Sequence, residues 1–323
     1  MTEVTMESAG NNMRIIFMGT PDFAVAILEA LIEAGHEVVL AVTQPDKPKG
    51  RGKSMQSPPV KLAAAAHNIE VFQPKRVRDL ECIAYLRKYQ PDIMIVAAFG
   101  QILPKEILEM PVYGCVNVHA SLLPKYRGAA PIQWAVINGD ETTGVTTMQM
   151  DVGVDTGDIL EMQEVTVEED ETGGSLFDKL AQAGAQLCLS TIAHIADGTV
   201  TRTKQNEAEA THVGMISKQM GQIDWQKPAV EIERLIRGLN PWPSAYTSLE
   251  EKMLKIWDAD VLFYDFNSSP GTVVILDKNK GILGIQTGKG VLSPREVQLA
   301  GRKRMKIDAF LRGFSLKEGM IFG

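Results

Sequence analysis

The sequence predicts a doubly wound α/β domain with a mainly parallel sheet, followed by a small β-barrel. Three observations predict it. From residue 13 to about 160, short apolar runs alternate with segments of helical periodicity. Several of those runs, Ile93–Ala97 among them, are apolar at every position, as strands covered on both faces must be. Beyond a polar, aperiodic stretch at Thr201–Thr211 the pattern changes to short strands at even spacing, separated by turn residues.

The elements follow in order. Arg14–Met18 is a short apolar run ending in Gly19-Thr20-Pro21, after which Phe23, Ile27, Leu28, Leu31 and Ile32 fall at helical spacing. Pro21 suits the first helical turn and Gly35 the stop. A strand is expected at Val38–Thr43, a helix from Pro58-Pro59, and an amphipathic helix near Asp79–Lys88. Val116–His119, Gly144–Met150 and Ile159–Val167 read as further strands, and Ser175–Ala196 as a long helix ended by Asp197-Gly198. The second pattern contributes a helix near Pro228–Leu239, then strands at Lys252–Trp257, Gly271–Leu276, Gly281–Thr287 and Lys289–Leu292. The expected division is 1–205, a linker at 206–213, and 214–323.

At 45% hydrophobic and 23% charged residues, the chain is neither disordered nor a disulfide scaffold. Three widely spaced cysteines fit a reducing compartment. No apolar run approaches the roughly 18–20 residues of a membrane helix, and Met1–Asn12 lacks the pattern of a secretory signal. A cytoplasmic monomer with no membrane partner is expected. The net charge of −7 argues against a polyanionic partner, but it is unevenly spread. Residues 206–323 hold 16 Lys+Arg against 14 Asp+Glu, a balance of +2, which leaves −9 for residues 1–205.

Five segments invite a chemical reading. Gly19-Thr20-Pro21-Asp22 lies where a dinucleotide fold carries its glycine fingerprint, but GxGxxG is absent and a tight strand-to-helix turn suffices. Asn117 and His119 alternate on a strand, so both side chains share one face at its carboxyl end, where open α/β sheets bind ligands. They are either structural or reactive. Asp151, Asp155 and Asp158 lie among glycines in a later loop, without EF-hand spacing. The loop is a plain acidic turn, or it supplies a carboxylate that fixes the tautomer of His119. Cys115 and His119 are spaced as metal ligands but lack companions, so no metal is expected. Pro45–Gln56 carries Lys47, Lys49, Arg51 and Lys53, with proline and glycine expected to exclude regular structure. It is a solvated mobile loop or an arm that contacts phosphates. Arg302, Lys303 and Arg304 form a second basic cluster.

The run Asn117…His119-Ala120-Ser121-Leu122-Leu123-Pro124-Lys125-Tyr126-Arg127-Gly128, with Asp155 thirty-six positions after His119, resembles the folate-dependent N-formyltransferases. Phe17–Ala24, Gly50–Lys53, Ala129–Trp134, Gly144–Leu160 and Asn240-Pro241-Trp242-Pro243 extend the resemblance from about Arg14 to Lys306, toward the members that act on an aminoacyl-tRNA. Met1–Asn12 has no counterpart in it. The resemblance implies a Rossmann-like catalytic domain and an OB-like barrel. It implies transfer of the formyl group of 10-formyltetrahydrofolate to the α-amine of methionine on initiator methionyl-tRNA, with no metal. Asn117, His119 and Asp155 would surround the formyl group, Ser121-Leu122-Leu123-Pro124 would lie at the folate, and the two basic clusters would grip the tRNA. A related enzyme formylating a sugar or ribonucleotide amine would share the three reactive residues. A non-catalytic RNA-binding protein would have no need of them.

Overall fold

In a computed structural model the described residues are 12–49 and 54–323, and Arg51 and Lys53 therefore lie outside them. Backbone contacts divide the chain into two compact units. The first runs up to Gly128 and includes Gly144–Val165 and Asp178–His212. The second comprises Ala129–Thr143, Thr166–Phe177 and Val213–Gly323, so it draws two segments from the first half of the chain.

The first unit opens with β1 (Arg14–Gly19), α1 (Asp22–Glu33) and β2 (Glu37–Val42). Gly19 is required where β1 turns into α1: a Cβ there would lie 2.5 Å from the Ala24 Cβ and 3.0 Å from the Ala97 carbonyl oxygen. Pro21 precedes the helix, Asp22 complements its dipole in the first turn, and Gly35 follows its end at φ +85°. Then come β3 (Lys47–Lys49), β4 (Ser54–Gln56), α2 (Pro59–Ala66), β5 (Val71–Phe72), α3 (Leu80–Arg87), β6 (Ile93–Ala97), α4 (Lys105–Leu108), β7 (Cys115–His119) and β8 (Arg127–Gly128). The chain then passes through α5 (Pro131–Asn138), which belongs to the second unit, before β9 (Thr142–Gln149), β10 (Ile159–Thr166), α6 (Gly173–Ala196) and β11 (His212–Val213).

Seven strands form one sheet in the order β10-β9-β7-β6-β1-β2-β5. The ladders from β7 through β6, β1 and β2 to β5 are parallel, and β9 runs antiparallel to β7. The order reverses at β1 and β6, the switch point beside which ligands enter such sheets. Every residue of β6 and β7 is buried, which is why both read as continuous or nearly continuous apolar runs.

The second unit is built on α7 (Ala229–Gly238), β12 (Ala245–Leu249), β13 (Lys252–Leu262), β14 (Val273–Asp277), β15 (Ile282–Gln286), β16 (Val291–Leu299), β17 (Met305–Lys306) and α8 (Ile307–Gly313). Its antiparallel sheet runs β12-β13-β16-β15-β14, with β17 added on β16. The core gathers Trp225, Ile232, Ile236, Leu254, Ile256, Leu292 and Phe310. β13 and β16 are longer than their apolar alternation predicts. Register shifts at Ile256/Asp258 and Asp258/Ala259 break the period-two pattern, so each strand continues where its sequence pattern stops.

The basic segment also differs from expectation. Within the described residues β3 and β4 pair antiparallel, Lys47 with Gln56 and Pro48 with Met55, so both described flanks of the segment are in regular structure. Pro48 lacks an N–H but is tolerated in an isolated two-stranded ribbon, where no second ladder needs the donor.

Candidate active site

β7 delivers Asn117 and His119 to the carboxyl end of the sheet. They are only 8% and 7% exposed, so both polar groups stand in a nearly dry environment where an electrostatic contact is strong. The Asn117 amide makes no side-chain hydrogen bond among the described residues. Cys115 shares the face but lies at the start of β7. Its thiol contacts the Ile107 carbonyl at 3.6 Å, and burial pushes its pKa up to about 12.

His119 is fixed by the turn that follows it. Its Nε2 lies 3.0 Å from the Tyr126 carbonyl oxygen. A carbonyl only accepts, so Nε2 carries a proton and Nδ1 is the nitrogen left to exchange one. Nδ1 faces the Asp155 Oδ2 at 3.8 Å. Asp155 sits at φ +55° in the loop between β9 and β10, a left-handed conformation that aspartate tolerates better than most residues. Its Oδ2 accepts the Gly128 N–H at 2.8 Å. One short turn, Tyr126 to Gly128, therefore positions both the imidazole and the carboxylate. Asp151, by contrast, is spent within its own loop, accepting from the Gly153 N–H and the Thr156 hydroxyl.

The turn is fastened from two sides. Thr146 on β9 donates to the Ser121 carbonyl at 2.6 Å and accepts the Leu123 N–H at 3.1 Å. The Ser121 hydroxyl donates to the Lys125 carbonyl. Of the four residues expected at a folate, Ser121 and Leu123 are buried in the turn, whereas Leu122 and Pro124 keep accessible surface. From the other side, Thr211 accepts the Tyr126 and Arg127 N–H groups at its hydroxyl and carbonyl, both at 2.8 Å.

Sequence reasoning missed Arg127, Gln205 and Thr211. Arg127 is 1% exposed and bidentate to Glu207 (2.9 and 2.7 Å), and it also donates twice to Gln205 (3.0 and 2.8 Å). The stretch read as a linker is thus hydrogen-bonded to the turn beside His119. The polar run carried no local signal of this, because contacts made by single side chains leave no periodicity in the sequence.

The other predicted residues lie apart from this cluster. Lys47 is exposed on β3. Arg302 and Lys303 are exposed beside β17 in the second unit. Arg304 ion-pairs with Glu296 and covers the Trp257 ring at 4.8 Å, so its charge is partly committed. Among the described residues, no group of three His, Cys, Asp or Glu side chains could hold a metal, and no helix is long and apolar enough to cross a membrane.

A buried amide, an imidazole with one free nitrogen and a facing carboxylate, at the mouth of a mainly parallel sheet, are the parts of an acyl-transfer site. Comparison with known proteins gives the family. The formyl transferase family model matches residues 13–192 and the formyl transferase C-terminal domain model residues 215–315, and the chain belongs to this family. It is 64% identical over 310 residues to a methionyl-tRNA formyltransferase of Agathobacter rectalis, covering 96% of this chain and 99% of that one. To the enzyme of the same name from Clostridioides difficile it is 47% identical, covering 96% and 100%. Among solved structures the fold is shared with an N-formyltransferase from Helicobacter canadensis in complex with folinic acid and dTDP-3-aminofucose. The TM-score is 0.64 at 19% identity, over 87% of this chain and 98% of that one. It is also shared with HypX from Aquifex aeolicus in complex with tetrahydrofolic acid (TM-score 0.62, 16% identity), of which this chain spans about half, 47%.

Proposed function

We propose that this protein transfers the formyl group of 10-formyltetrahydrofolate to the free α-amino group of methionine on initiator methionyl-tRNA, in the cytoplasm. The observation that supports the reading is the facing of His119 and Asp155, with Asn117 two positions before His119 on the same strand, in a chain 64% identical, nearly end to end, to a methionyl-tRNA formyltransferase.

The amine attacks the formyl carbon, a C–N bond forms and the carbonyl oxygen becomes an oxyanion. Collapse breaks the bond to the folate nitrogen and releases tetrahydrofolate. Asn117 donates its amide N–H to the oxyanion without itself changing charge. His119 takes the proton lost by the amine at Nδ1 and returns it to the departing folate nitrogen, so the ring ends as it began. The Asp155 charge attracts the imidazolium while it exists. Leu122 and Pro124 offer the apolar surface for the pterin, beside the buried Ser121 and Leu123.

The first unit holds all three reactive residues, and we assign the folate chemistry to it. Lys47, Lys49, Arg51 and Lys53 form an arm that draws the acceptor end of the tRNA toward a half of the chain carrying −9. Arg302, Lys303 and Arg304 supply a second cationic contact. The test is a formyl-transfer assay that offers methionyl-tRNA, free methionine and a dTDP-amino sugar side by side. Transfer to the tRNA alone supports the reading, and transfer to the sugar nucleotide replaces it with the sugar-amine alternative.

A further inference from the structure

Asp155 is held by more than the Gly128 N–H. The Gln205 Nε2 donates to the carbonyls of Asp155 and Gly157, both at 2.8 Å, and so straddles the turn that aims the carboxylate. The orientation of this amide is not ambiguous. Carbonyls only accept and a guanidinium only donates, so the amide nitrogen must face the loop and its oxygen must face Arg127. Arg127 is in turn locked by the bidentate contact to Glu207. The chain of contacts runs from Glu207 through Arg127 and Gln205 to Asp155, and ends 3.8 Å from the His119 Nδ1.

Such a brace has work to do. Asp155 sits at φ +55° and Tyr126 at φ +61°, left-handed conformations that a non-glycine residue keeps only where its surroundings impose them. The residues beside Asp155, Val154 and Thr156, bring no apolar anchor: Val154 is 55% exposed. Hydrogen bonds from Gln205 are therefore a principal restraint on where the carboxylate points.

We propose that Gln205 is a positioning residue for formyl transfer, holding Asp155 toward His119 under the tension of the buried Arg127, so that the polar stretch around 205–211 is part of the catalytic machinery. The proposal rests on the role given to Asp155 above. Gln205 itself touches neither reactive side chain of the pair.

Gln205→Glu separates the two halves of the contact. The carboxylate still accepts from Arg127, while the Asp155 and Gly157 carbonyls lose their donor and face a negative charge. Single-turnover formylation of methionyl-tRNA by 10-formyltetrahydrofolate is measured for Gln205→Glu and Gln205→Ala, each alone and combined with Asp155→Ala. Thermal unfolding and KM for both substrates are followed in parallel. A carboxylate misplaced by about 1 Å can lower the rate by about 10²-fold, so each Gln205 variant is expected to lose tens-fold to 10²-fold in rate with KM changed by less than about threefold. In the Asp155→Ala background the same substitutions are expected to have almost no effect, because the group they position is gone. Wild-type rates in both Gln205 variants, or an equal loss in both backgrounds, overturn the proposal. An Asp155→Ala protein with wild-type turnover instead removes the role of Asp155, a distinguishable result.

Discussion

The Oδ2 of Asp155 serves two partners at once: it accepts the Gly128 N–H at 2.8 Å and faces the His119 Nδ1 at 3.8 Å. The first contact orients the carboxylate; the second is too long for a direct hydrogen bond and acts through charge. Because Tyr126 holds the other side of the imidazole, one three-residue turn sets the spacing of the pair.

Asp155→Asn separates orientation from charge. The asparagine oxygen can still accept the Gly128 N–H, but the imidazolium loses its counter-charge. Turnover is expected to fall by about 10²-fold while binding of a folate analogue is unchanged. Stopped-flow or quenched single-turnover rates beside equilibrium binding check this, and unchanged turnover would leave Asp155 with a purely structural part.

Gly144 on β9 carries Leu122 above it. A Cβ at 144 would lie 2.2 Å from the Gln163 carbonyl oxygen and 2.5 Å from the Leu122 Cδ2, and the first of these atoms is backbone. Gly144→Ala is expected to cost about 1–3 kcal/mol of stability and to raise the KM for the folate by displacing Leu122, with kcat much less affected. Denaturant unfolding and folate-dependent kinetics test the two effects separately. An unchanged folate KM in the destabilised variant would detach Leu122 from folate binding.

The Arg127–Glu207 contact makes a pH signature. Hydrogen bonds from the guanidinium hold the Glu207 carboxyl below its ordinary value of 4.5. A carboxyl with a lower pKa folded than unfolded adds stability above its unfolded pKa and loses it as pH falls through the folded one. Wild type should therefore melt above Glu207→Gln at neutral pH, with the gap narrowing once the pH drops below 4.5. Glu207 is 72% exposed, so the gap is small and is widest at low salt. A gap independent of pH would mean that the ion pair contributes nothing.

Asn117 and His119 are legible in the sequence because alternation on one apolar strand puts both on one face at its carboxyl end, and Asp155 is legible through the family motif. The brace is not. Arg127 and Gln205 are 78 positions apart, and arginine is a residue that usually stays at the surface. Nothing in the local pattern of Thr201–Thr211, which has neither period 2 nor 3.6, distinguishes a segment held by side-chain hydrogen bonds from a free linker. The pairing of Lys47–Lys49 with Ser54–Gln56 is hidden for a related reason. Its proline and glycine content argues against pairing, and only the register of the two strands shows where the missing donor is tolerated.

The mechanism proposed above gives the His119 imidazole the movement of the proton in formyl transfer. Its most direct measurement is the single-turnover rate of His119→Ala with 10-formyltetrahydrofolate and methionyl-tRNA, taken alongside binding of a folate analogue and of the tRNA. The predicted result is a loss of about 10²-fold or more in rate with both affinities preserved. A His119→Ala protein that formylates methionyl-tRNA at the wild-type rate would contradict the mechanism.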